Sequence, residues 1–290
     1  MENGADAKGS LIKNEAVRLR EISPGFFGVM IDNPPFNLID SQVFDGLKAV
    51  KSFAEDSRNA VRVLVFESAN PEFFGAHLDL TAGDHGGSGH EVSEPTEIVQ
   101  EWPAFSYWLS TTPVVSIALL RGRARGFAFA FAAAADMRFA SKQNTLLCLP
   151  EVGFGAFPGG GGIEWAQLRA GRARAMEFLL GSDDLDGDTA ELYGLVNRSM
   201  DDGELDEFVY TLGRRIASFT PASIAAVKNG LTKLQPVPSP EEMAGTLAVA
   251  GALQSSEEGQ AAGMRVMAKA GGVPFSRAVE LDLPRLCDAD

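Results

Sequence analysis

Segments typical of strands alternate with segments typical of helices from Val17 to about Asp202. The pair VRLREI and FFGVMIDNPP, divided by the turn residues 23–25, is typical of a hairpin, and SQVFDGLKAVKSFAE follows it with a helix-like pattern. The same order returns in RVLVFES, PTEIVQEWPAFSYWLS, VVSIALL and DMRFAS. The sequence therefore predicts an α/β fold over this part of the chain.

Beyond Asp202 the pattern is helical. ELDEFVYTLGRRIASF, PASIAAVKNGLTKL and SPEEMAGTLAVAGALQ lack strand alternation, and helix start signals stand at Pro221 and at Ser239-Pro240. Before this region, ARAMEFLLG and DTAELYGLV are predicted helices joined by SDDLDG, where we expect Ser182 or Asp183 to cap a helix start. We predict an α/β core over residues 1–202 and a helical region over residues 203–290.

Composition excludes several function classes. A chain of 290 residues with 45% hydrophobic and 22% charged residues can bury a large core, and a net charge of −14 disfavours binding to nucleic acid and anionic membranes. The start MENGADAKGS lacks an apolar signal-peptide core, and the longest apolar run, Phe127–Ala135, is too short to span a bilayer. We therefore expect a cytoplasmic protein with no membrane and no nucleic-acid partner.

Neither the cysteines nor the histidines have the spacing of a metal site. Cys148 and Cys287 lie far apart without a CxxC pair, which argues against a disulfide framework and against zinc. The polar, glycine-rich run from Thr81 to Pro95 is typical of a flexible loop, and its His85 and His90 lie near acidic residues at irregular spacing. We predict no metal.

The stretch CLPEVGFGAFPGGGGIEW sets one carboxylate, Glu151, between Pro150 and a glycine-rich turn. Its glycines do not form a phosphate loop, because Pro158 interrupts the G-x-G-x-x-G spacing and no lysine follows. A tight turn before a helix is the expected role of the glycine run. A serine hydrolase is excluded in the same way, since the chain has no G-x-S-x-G.

Several motifs, in order, resemble those of the enoyl-CoA hydratase/isomerase family, the crotonase superfamily. They are NPPFNLI, FGAHLDL, GFAFAFAAAADMRFAS, LPEVGFGAFPGGGG, GRARAMEFLLG, ELYGLVNR and the final PFSR. The resemblance covers nearly the whole chain and implies a spiral of ββα units with a C-terminal α-helical trimerisation region. It also implies a homotrimer or a dimer of trimers, and an acyl-CoA thioester substrate with no cofactor beyond the coenzyme A of that substrate.

By its position in these motifs, the resemblance implies an oxyanion hole formed by the backbone N–H groups of Leu78 and Phe127. Such a donor is typically worth ~3 to 4 kcal/mol when an enolate oxygen forms in the transition state. The resemblance makes Glu151 the catalytic carboxylate, because an apolar acyl pocket moves a carboxyl pKa toward the working pH. The alternative is a solvated or salt-bridged glutamate on a loop. Residues expected to line the substrate are Phe36, Ala76, His77, Leu80, Gly126, Ala130, Pro150 and Phe275.

One departure from the family pattern bears most on the reaction. The first of the family's two glutamates corresponds to Ala130, which leaves Glu151 as the single carboxylate. Because hydration uses two such groups and a double-bond shift from the 3 to the 2 position needs one base, we favour an isomerase. The alternatives are a hydratase or lyase in which His77 or a loop residue substitutes for the missing glutamate, and a catalytically silent binding or assembly subunit.

Three further features leave alternatives open. Phe127, Phe129 and Phe131 alternate with alanines like a strand, yet the Ala132–Ala135 run favours a helix from about Phe127. His77 stands where the motif usually has glycine and has either an acid/base or a structural role. The arginines at 121, 123 and 125 either bind acidic groups of the substrate or form ion pairs, and Lys269 and Arg277 lie where the family contacts coenzyme A.

Overall fold

The structure is a computed structural model that describes residues 9–78, 95–271 and 276–287. The strands in these ranges are β1 (Val17–Ser23), β2 (Phe26–Ile31), β3 (Val63–Ser68), β4 (Phe73–Gly75), β5 (Val115–Leu120), β6 (Arg123–Arg125), β7 (Met137–Ser141), β8 (Leu146–Cys148), β9 (Leu185–Asp186) and β10 (Arg198–Met200). The helices are α1 (Ser41–Glu55), α2 (Pro95–Thr111), α3 (Phe127–Ala134), α4 (Gly162–Gly181), α5 (Gly187–Tyr193), α6 (Asp202–Ala217), α7 (Pro221–Leu234), α8 (Pro240–Gln254), α9 (Glu257–Lys269) and α10 (Arg277–Asp282). Short 3-10 helices lie at Ser57–Asn59, Glu151–Phe154 and Leu283–Cys287.

The strands form a six-stranded sheet in the order β1-β2-β3-β5-β7-β10 and a four-stranded sheet in the order β4-β6-β8-β9. β1 pairs antiparallel with β2 and β9 with β8, while the other neighbours are parallel. The pairs β3–β4, β5–β6 and β7–β8 each give one strand to each sheet and are followed by α2, α3 and α4 in turn. This repeated order is the predicted spiral of ββα units, which the structure confirms.

The six-stranded sheet is buried on both faces. Because successive side chains of a strand point to opposite faces, Val63 and Val65 face one hydrophobic cluster, and Leu64 and Phe66 face the other. Helix α6 covers the first of these faces with Leu205, Val209 and Ala217, spaced one helical turn or more apart. The larger cluster fills the space between the two sheets and the helices α1 to α4.

Helix α3 explains why its phenylalanines give a strand-like pattern. Two residues of separation on a helix is about 200° of rotation, so Phe129 points away from Phe127 and Phe131, which lie on the same side. Phe127 lies against Trp102, with ring centroids 5.1 Å apart, and Phe129 lies 5.1 Å from Phe178. The other ring, of Phe131, lies 5.1 Å from Phe66. A helix buried on all sides loses amphipathic periodicity, and the predicted helix from Phe127 is confirmed.

The cap predicted at Ser182 or Asp183 is wrong. Helix α5 is capped instead by Asp186, whose side chain accepts a hydrogen bond from Thr189 N at 2.8 Å. Ser182 follows the last residue of α4 in a left-handed conformation with φ of 50°. The acidic turn contains two residues of strand β9, and pairing with β8 moves the helix start downstream.

The later helices begin where the sequence indicates. Pro221 and Pro240 occupy the first positions of α7 and α8, and the preceding Thr220 and Ser239 side chains accept hydrogen bonds from the first turns. After Met200 the described residues contain helices and turns only. No helix within the described ranges is both long enough and apolar enough to cross a bilayer.

Candidate functional site

The C-terminal end of helix α3 has its polar groups satisfied. Two guanidinium groups, of Arg138 and Arg169, donate to the carbonyl oxygens of Ala133 and Ala135 at distances from 2.6 to 3.4 Å. The Ser110 hydroxyl donates to the oxygen of Ala134 at 2.6 Å. Cations at this end are favoured because the last carbonyl groups of a helix carry its negative pole.

The N-terminal end of α3 is left open by comparison. Gly126 precedes the helix with φ of 51° and ψ of −123°, and its N–H donates to the Cys148 oxygen at 3.1 Å, which ties the helix start to β8. Its carbonyl accepts from Ala130 N at 3.0 Å inside the helix. The N–H of Phe127 lies on the other side of the same planar peptide, so it points out of the helix, and it has no acceptor among the described residues.

A second peptide is oriented in the same way. The His77 carbonyl accepts from Ile39 N at 2.9 Å, so the Leu78 N–H of that peptide points away from Ile39. It donates to no atom in the part of the chain that the structure describes. The segment lies close to α3, since a Cβ built on Gly75 would be 2.7 Å from Ala128 Cβ. Two unpaired N–H groups therefore lie on adjacent, rigidly packed segments.

Glu151 lies next to the start of α3. It follows β8 and Pro150 as the first residue of a 3-10 helix, and a Cβ built on Gly126 would lie 3.2 Å from its Oε1. Its Oε2 is buried without a hydrogen-bond partner among the described residues, although the residue as a whole keeps partial exposure. Burial disfavours the ionised form and raises the pKa of Glu151 to about 7, while a main-chain hydrogen bond and His77 act in the opposite direction.

The glycine-rich stretch lets two later segments approach this carboxylate. A Cβ on Gly153 would lie 2.4 Å from Cys287 Cβ, and one on Gly155 would lie 2.6 Å from Ala262 Cβ. Helix α9 and the last 3-10 helix therefore pack directly against the residues that follow Glu151. The glycines at 159–162 form the predicted turn before α4.

His77 faces Glu280 of helix α10. The ring Nε2 is 3.1 Å from Glu280 Oε1, and Nδ1 is 2.9 Å from the oxygen of Leu78. Nothing in the sequence pointed to Glu280, because the contact joins residues 203 positions apart and the segment around it has no motif of its own.

The structure brings Ala76, His77, Leu78, Gly126, Phe127 and Glu151 together. Among the other predicted residues, Phe36 is buried behind this group, where its carbonyl accepts from Ala76 N at 3.1 Å. Ala130 is 1% exposed, one turn into α3, and Pro150 is buried directly before Glu151. Leu80 and Phe275 lie outside the described residues, as do His85, His90 and most of the predicted loop from Thr81.

The arginines at 121, 123 and 125 belong to structural contacts. Arg121 pairs with Asp202 and Asp206 at 2.7 Å, and the fully buried Arg125 pairs with Asp184 at 2.5 Å. Arg123 lies over the ring of Phe73, 5.6 Å from its centroid. Downstream, Arg277 forms an ion pair with Glu72 at 2.6 Å. These contacts favour ion pairing over substrate binding for the arginine stripe.

A groove of about 940 Å³ opens at the other end of α3, between the sheet and helix α7. It is lined by apolar side chains of α7 such as Leu231 and Leu234, and by the charged groups of Asp136 and Lys228. Those charges are paired with each other at 2.7 Å. Glu151 and the two N–H groups that have no acceptor among the described residues lie at the opposite end, so the candidate site is placed there and not in the groove.

Comparison with known proteins gives consistent matches. Residues 21–274 match the sequence profile described as "Enoyl-CoA hydratase/isomerase". The chain is 28% identical over 225 residues to "Probable enoyl-CoA hydratase 2, mitochondrial" of Arabidopsis thaliana, which covers 75% of this chain and 71% of that protein. It is 28% identical over 201 residues to carnitinyl-CoA dehydratase of Proteus mirabilis, covering 69% and 74%. A crystal structure of a "putative enoyl-CoA hydratase" from Streptomyces avermitilis matches with a TM-score of 0.81 and 34% identity, covering 96% and 98%.

Proposed function

This chain belongs to the enoyl-CoA hydratase/isomerase family, and from that premise we propose that it is an enzyme that forms the enolate of an acyl-CoA thioester. The observation that carries the proposal is the Glu151 carboxylate, which lies next to the open start of helix α3 and whose Oε2 is buried with no hydrogen-bond partner among the described residues. A carboxylate held in this way has the pKa of a general base that works near neutrality.

In the proposed reaction the thioester oxygen accepts hydrogen bonds from the N–H groups of Leu78 and Phe127. Ionised Glu151 removes a proton from the α-carbon, and the electrons of that C–H bond move onto the thioester oxygen as an enolate. The two donors and the positive pole of α3 stabilise that charge, with each donor worth ~3 to 4 kcal/mol. Both donors are backbone groups, so the side chains at these positions are free to vary.

The finer proposal is a double-bond shift from the 3 to the 2 position. Glu151, now protonated, returns a proton to the γ-carbon, and the double bond becomes conjugated with the thioester. A single base is enough for this reaction. The first transfer protonates Glu151, and the second transfer returns Glu151 to its ionised form. The support is Ala130, a buried methyl group one turn into α3 that offers no second carboxylate.

The first test is proton exchange at the α-carbon. Acyl- and enoyl-CoA thioesters are incubated in deuterated water with the wild type and with Glu151→Gln, and deuterium uptake is followed by mass spectrometry. We expect exchange with the wild type and almost none with the variant, whose folding is checked by circular dichroism. Equal exchange by a folded Glu151→Gln protein would refute the proposed base.

A second candidate reaction is the addition or elimination of water across the 2,3 double bond. The contact of His77 with Glu280 favours it, because this reaction needs a second group that handles a proton. The relatives named as a hydratase and a carnitinyl-CoA dehydratase are consistent with it. Oxygen-18 from solvent in the product would establish hydration, while a shifted double bond without oxygen-18 would establish the isomerase.

We also propose assembly into a homotrimer, or a dimer of trimers, through the C-terminal helices. Helix α7 exposes three large apolar side chains, Val227, Leu231 and Leu234, at 62, 63 and 85%. A contiguous apolar face of this kind is typical of a protein interface. Light scattering coupled to size exclusion measures the mass directly, and a monomer at micromolar concentration would contradict the assembly.

A further inference from the structure

His77 and Glu280 form a pair whose geometry requires a shared proton. One neighbour of the imidazole is the Leu78 carbonyl, 2.9 Å from Nδ1, and this oxygen can only accept a hydrogen bond. The other is Glu280 Oε1, 3.1 Å from Nε2. When Nδ1 carries a proton, the lone pair of Nε2 would face a lone pair of the ionised Glu280 carboxylate. A further proton, on either Nε2 or the carboxylate, removes this repulsion. The pair therefore holds a proton between the ring and the carboxylate.

Glu280 is fixed in place by its surroundings. Its side chain is 1% exposed, and the second oxygen, Oε2, has no hydrogen-bond partner in the part of the chain described. The buried Arg125 donates to the main-chain oxygen of Glu280, and Ser276 caps the same helix by accepting from Val279 N at 3.3 Å. His77 is thus the hydrogen-bonding partner that the described residues offer to this buried carboxylate.

The pair adjoins the candidate site through Gly126. The position that a Cβ of Gly126 would occupy lies 3.4 Å from His77 Cβ and 3.2 Å from Glu151 Oε1. His77, through its Cβ, and the Glu151 carboxylate therefore flank the same glycine at the start of α3, and His77 lowers the pKa of Glu151 by its charge. His77 also immediately precedes Leu78, whose N–H is one of the two proposed oxyanion donors.

We propose that Glu280 keeps the imidazole of His77 protonated, and that this cation supports both the ionised form of Glu151 and the enolate that develops beside Leu78. His77 and Glu280 are then positioning residues, because they act through the field of the imidazolium and transfer no proton to the substrate. The inference rests on the proposed enolate chemistry and deepens it. It also makes α10 part of the active centre.

Other ionisable groups surround the pair on each neighbouring element. The groups are Glu151 on the 3-10 helix, Arg125 on β6 with its partner Asp184, Cys148 on β8, and Asp282 on α10. Arg125 and Asp184 compensate each other at 2.5 Å, and burial holds the pKa of the Cys148 thiol well above its usual range, so that it stays neutral. Asp282 pairs with Arg285 on the exposed side of α10. Arg123, next to Arg125 on β6, is a further cation near this set and lies over the ring of Phe73. Among the described carboxylates in the set, Glu151 is the one whose buried oxygen has, apart from His77, neither a cation nor a hydrogen-bond donor beside it.

The test is the pH dependence of kcat/KM for His77→Gln and Glu280→Gln. Loss of the imidazolium removes a positive charge beside Glu151, so the acidic limb of the pH profile of kcat/KM moves to higher pH. We expect a shift of about one pH unit for His77→Gln, a roughly tenfold loss of activity on that limb. Glu280→Gln moves the limb in the same direction by less. Asp282→Asn is the matched control, a carboxylate-to-amide change on the same helix that leaves the limb in place.

The double variant separates a charge effect from a packing effect. If Glu280 acts through His77, Glu280→Gln causes no further upward shift in a His77→Gln background. The proposal would be overturned if Glu280→Gln lowered kcat/KM equally in the wild-type and His77→Gln backgrounds. It would also be overturned if His77→Gln left the acidic limb of the pH profile in place. Such a result would leave the enolate chemistry intact as long as Glu151→Gln is inactive, whereas an active Glu151→Gln would refute the proposed function itself.

A measurement on the wild type covers the case in which the variants do not fold. Histidine labelled with nitrogen-15 gives ring shifts that distinguish imidazolium from neutral imidazole, and the chain has three histidines. Signals of His85 and His90 are assigned with the corresponding glutamine variants. We expect the remaining signal to be that of an imidazolium at a pH about one unit above the ordinary histidine pKa of ~6.5. A neutral ring there would overturn the inference.

Discussion

A carboxylate lies at each end of helix α3, and the two carboxylates differ in their hydrogen bonds. At the C-terminal end, Asp136 Oδ2 accepts from Ser116 N at 2.8 Å, from the Ser116 hydroxyl at 3.0 Å and from Lys228 Nζ at 2.7 Å. At the N-terminal end, Glu151 Oε2 is buried with no partner among the described residues. The helix is short, so these two environments are separated by about 12 Å.

The difference separates a structural carboxylate from a reactive one. Three donors, from β5 and α7, hydrogen-bond to Asp136 and hold these two elements against the end of α3. Glu151 lacks these donors, so its proton affinity is raised to the range in which a base works near neutrality. The helix ends differ in the same way. The carbonyl groups at the C-terminal end accept hydrogen bonds, whereas the Phe127 N–H at the N-terminal end has no acceptor among the described residues.

The largest expected effect is on catalysis by Glu151→Gln. The amide cannot accept a proton from the α-carbon, so we expect kcat to fall about 10³-fold, within the usual range for a general base. Asp136→Asn, measured per folded molecule, should keep kcat within about twofold of the wild type. Comparable losses in the two variants would show that the distinction between the two carboxylates is wrong.

Asp136→Asn should instead lower the free energy of unfolding. The substitution leaves Lys228, 8% exposed, without its counter-charge, and breaking a buried pair in this way costs about 3 kcal/mol. Urea unfolding followed by fluorescence measures the loss. The exposed pair Lys142–Asp188 is the control, because solvent screens its charges and Asp188→Asn should leave the unfolding midpoint nearly unchanged.

Gly126→Ala tests the open end of α3. A methyl group there would lie 3.2 Å from Glu151 Oε1 on a backbone with φ of 51°, so the carboxylate or the helix start must move. We expect kcat/KM to drop about 10²-fold, as a displacement of about 1 Å near the chemistry can cause. Gly203→Ala, with no atom within 4 Å of the new methyl, should be neutral.

The last expected effect is a gain in stability from Glu151→Gln that grows with pH. The folded-state pKa of about 7 exceeds the unfolded value of 4.5, so the ionised carboxyl destabilises the fold increasingly as the pH rises between these values. The free energy of unfolding of the variant, relative to wild type, should therefore increase by about 3 kcal/mol from pH ~4 to ~8. If the difference in the free energy of unfolding between the variant and the wild type is constant across this pH window, burial does not raise the pKa of Glu151.

The sequence could predict the long elements and the local part of the site. Strands such as β3 and β5, and helices with proline or serine start signals, carry their own periodicity and caps, and Glu151 and Leu78 lie within ordered motifs. The strands of two or three residues, β4, β6, β8, β9 and β10, are too short to show a period. They follow from the pairing of neighbouring turns of the spiral.

What the sequence could not predict depends on distant contacts. The contact of His77 with Glu280 and the ion pair of Arg125 with Asp184 join residues from separate elements, and no local pattern announces either. The cap expected at Ser182 or Asp183 failed for the same reason, because pairing of β9 with β8 decides where α5 begins. Tertiary partners, more than propensity, determine these details.

The bond from Arg125 to the main chain of Glu280 spans 155 residues and has a consequence for biosynthesis. While the ribosome makes the chain, Arg125 emerges long before this acceptor exists, and its bond to Glu280 can form only when α10 docks. The nascent polypeptide therefore carries Leu78, Phe127 and Glu151, the residues of the proposed site, well before Glu280 can reach His77. Maturation of the active centre is a late event, timed by the synthesis of the helical region.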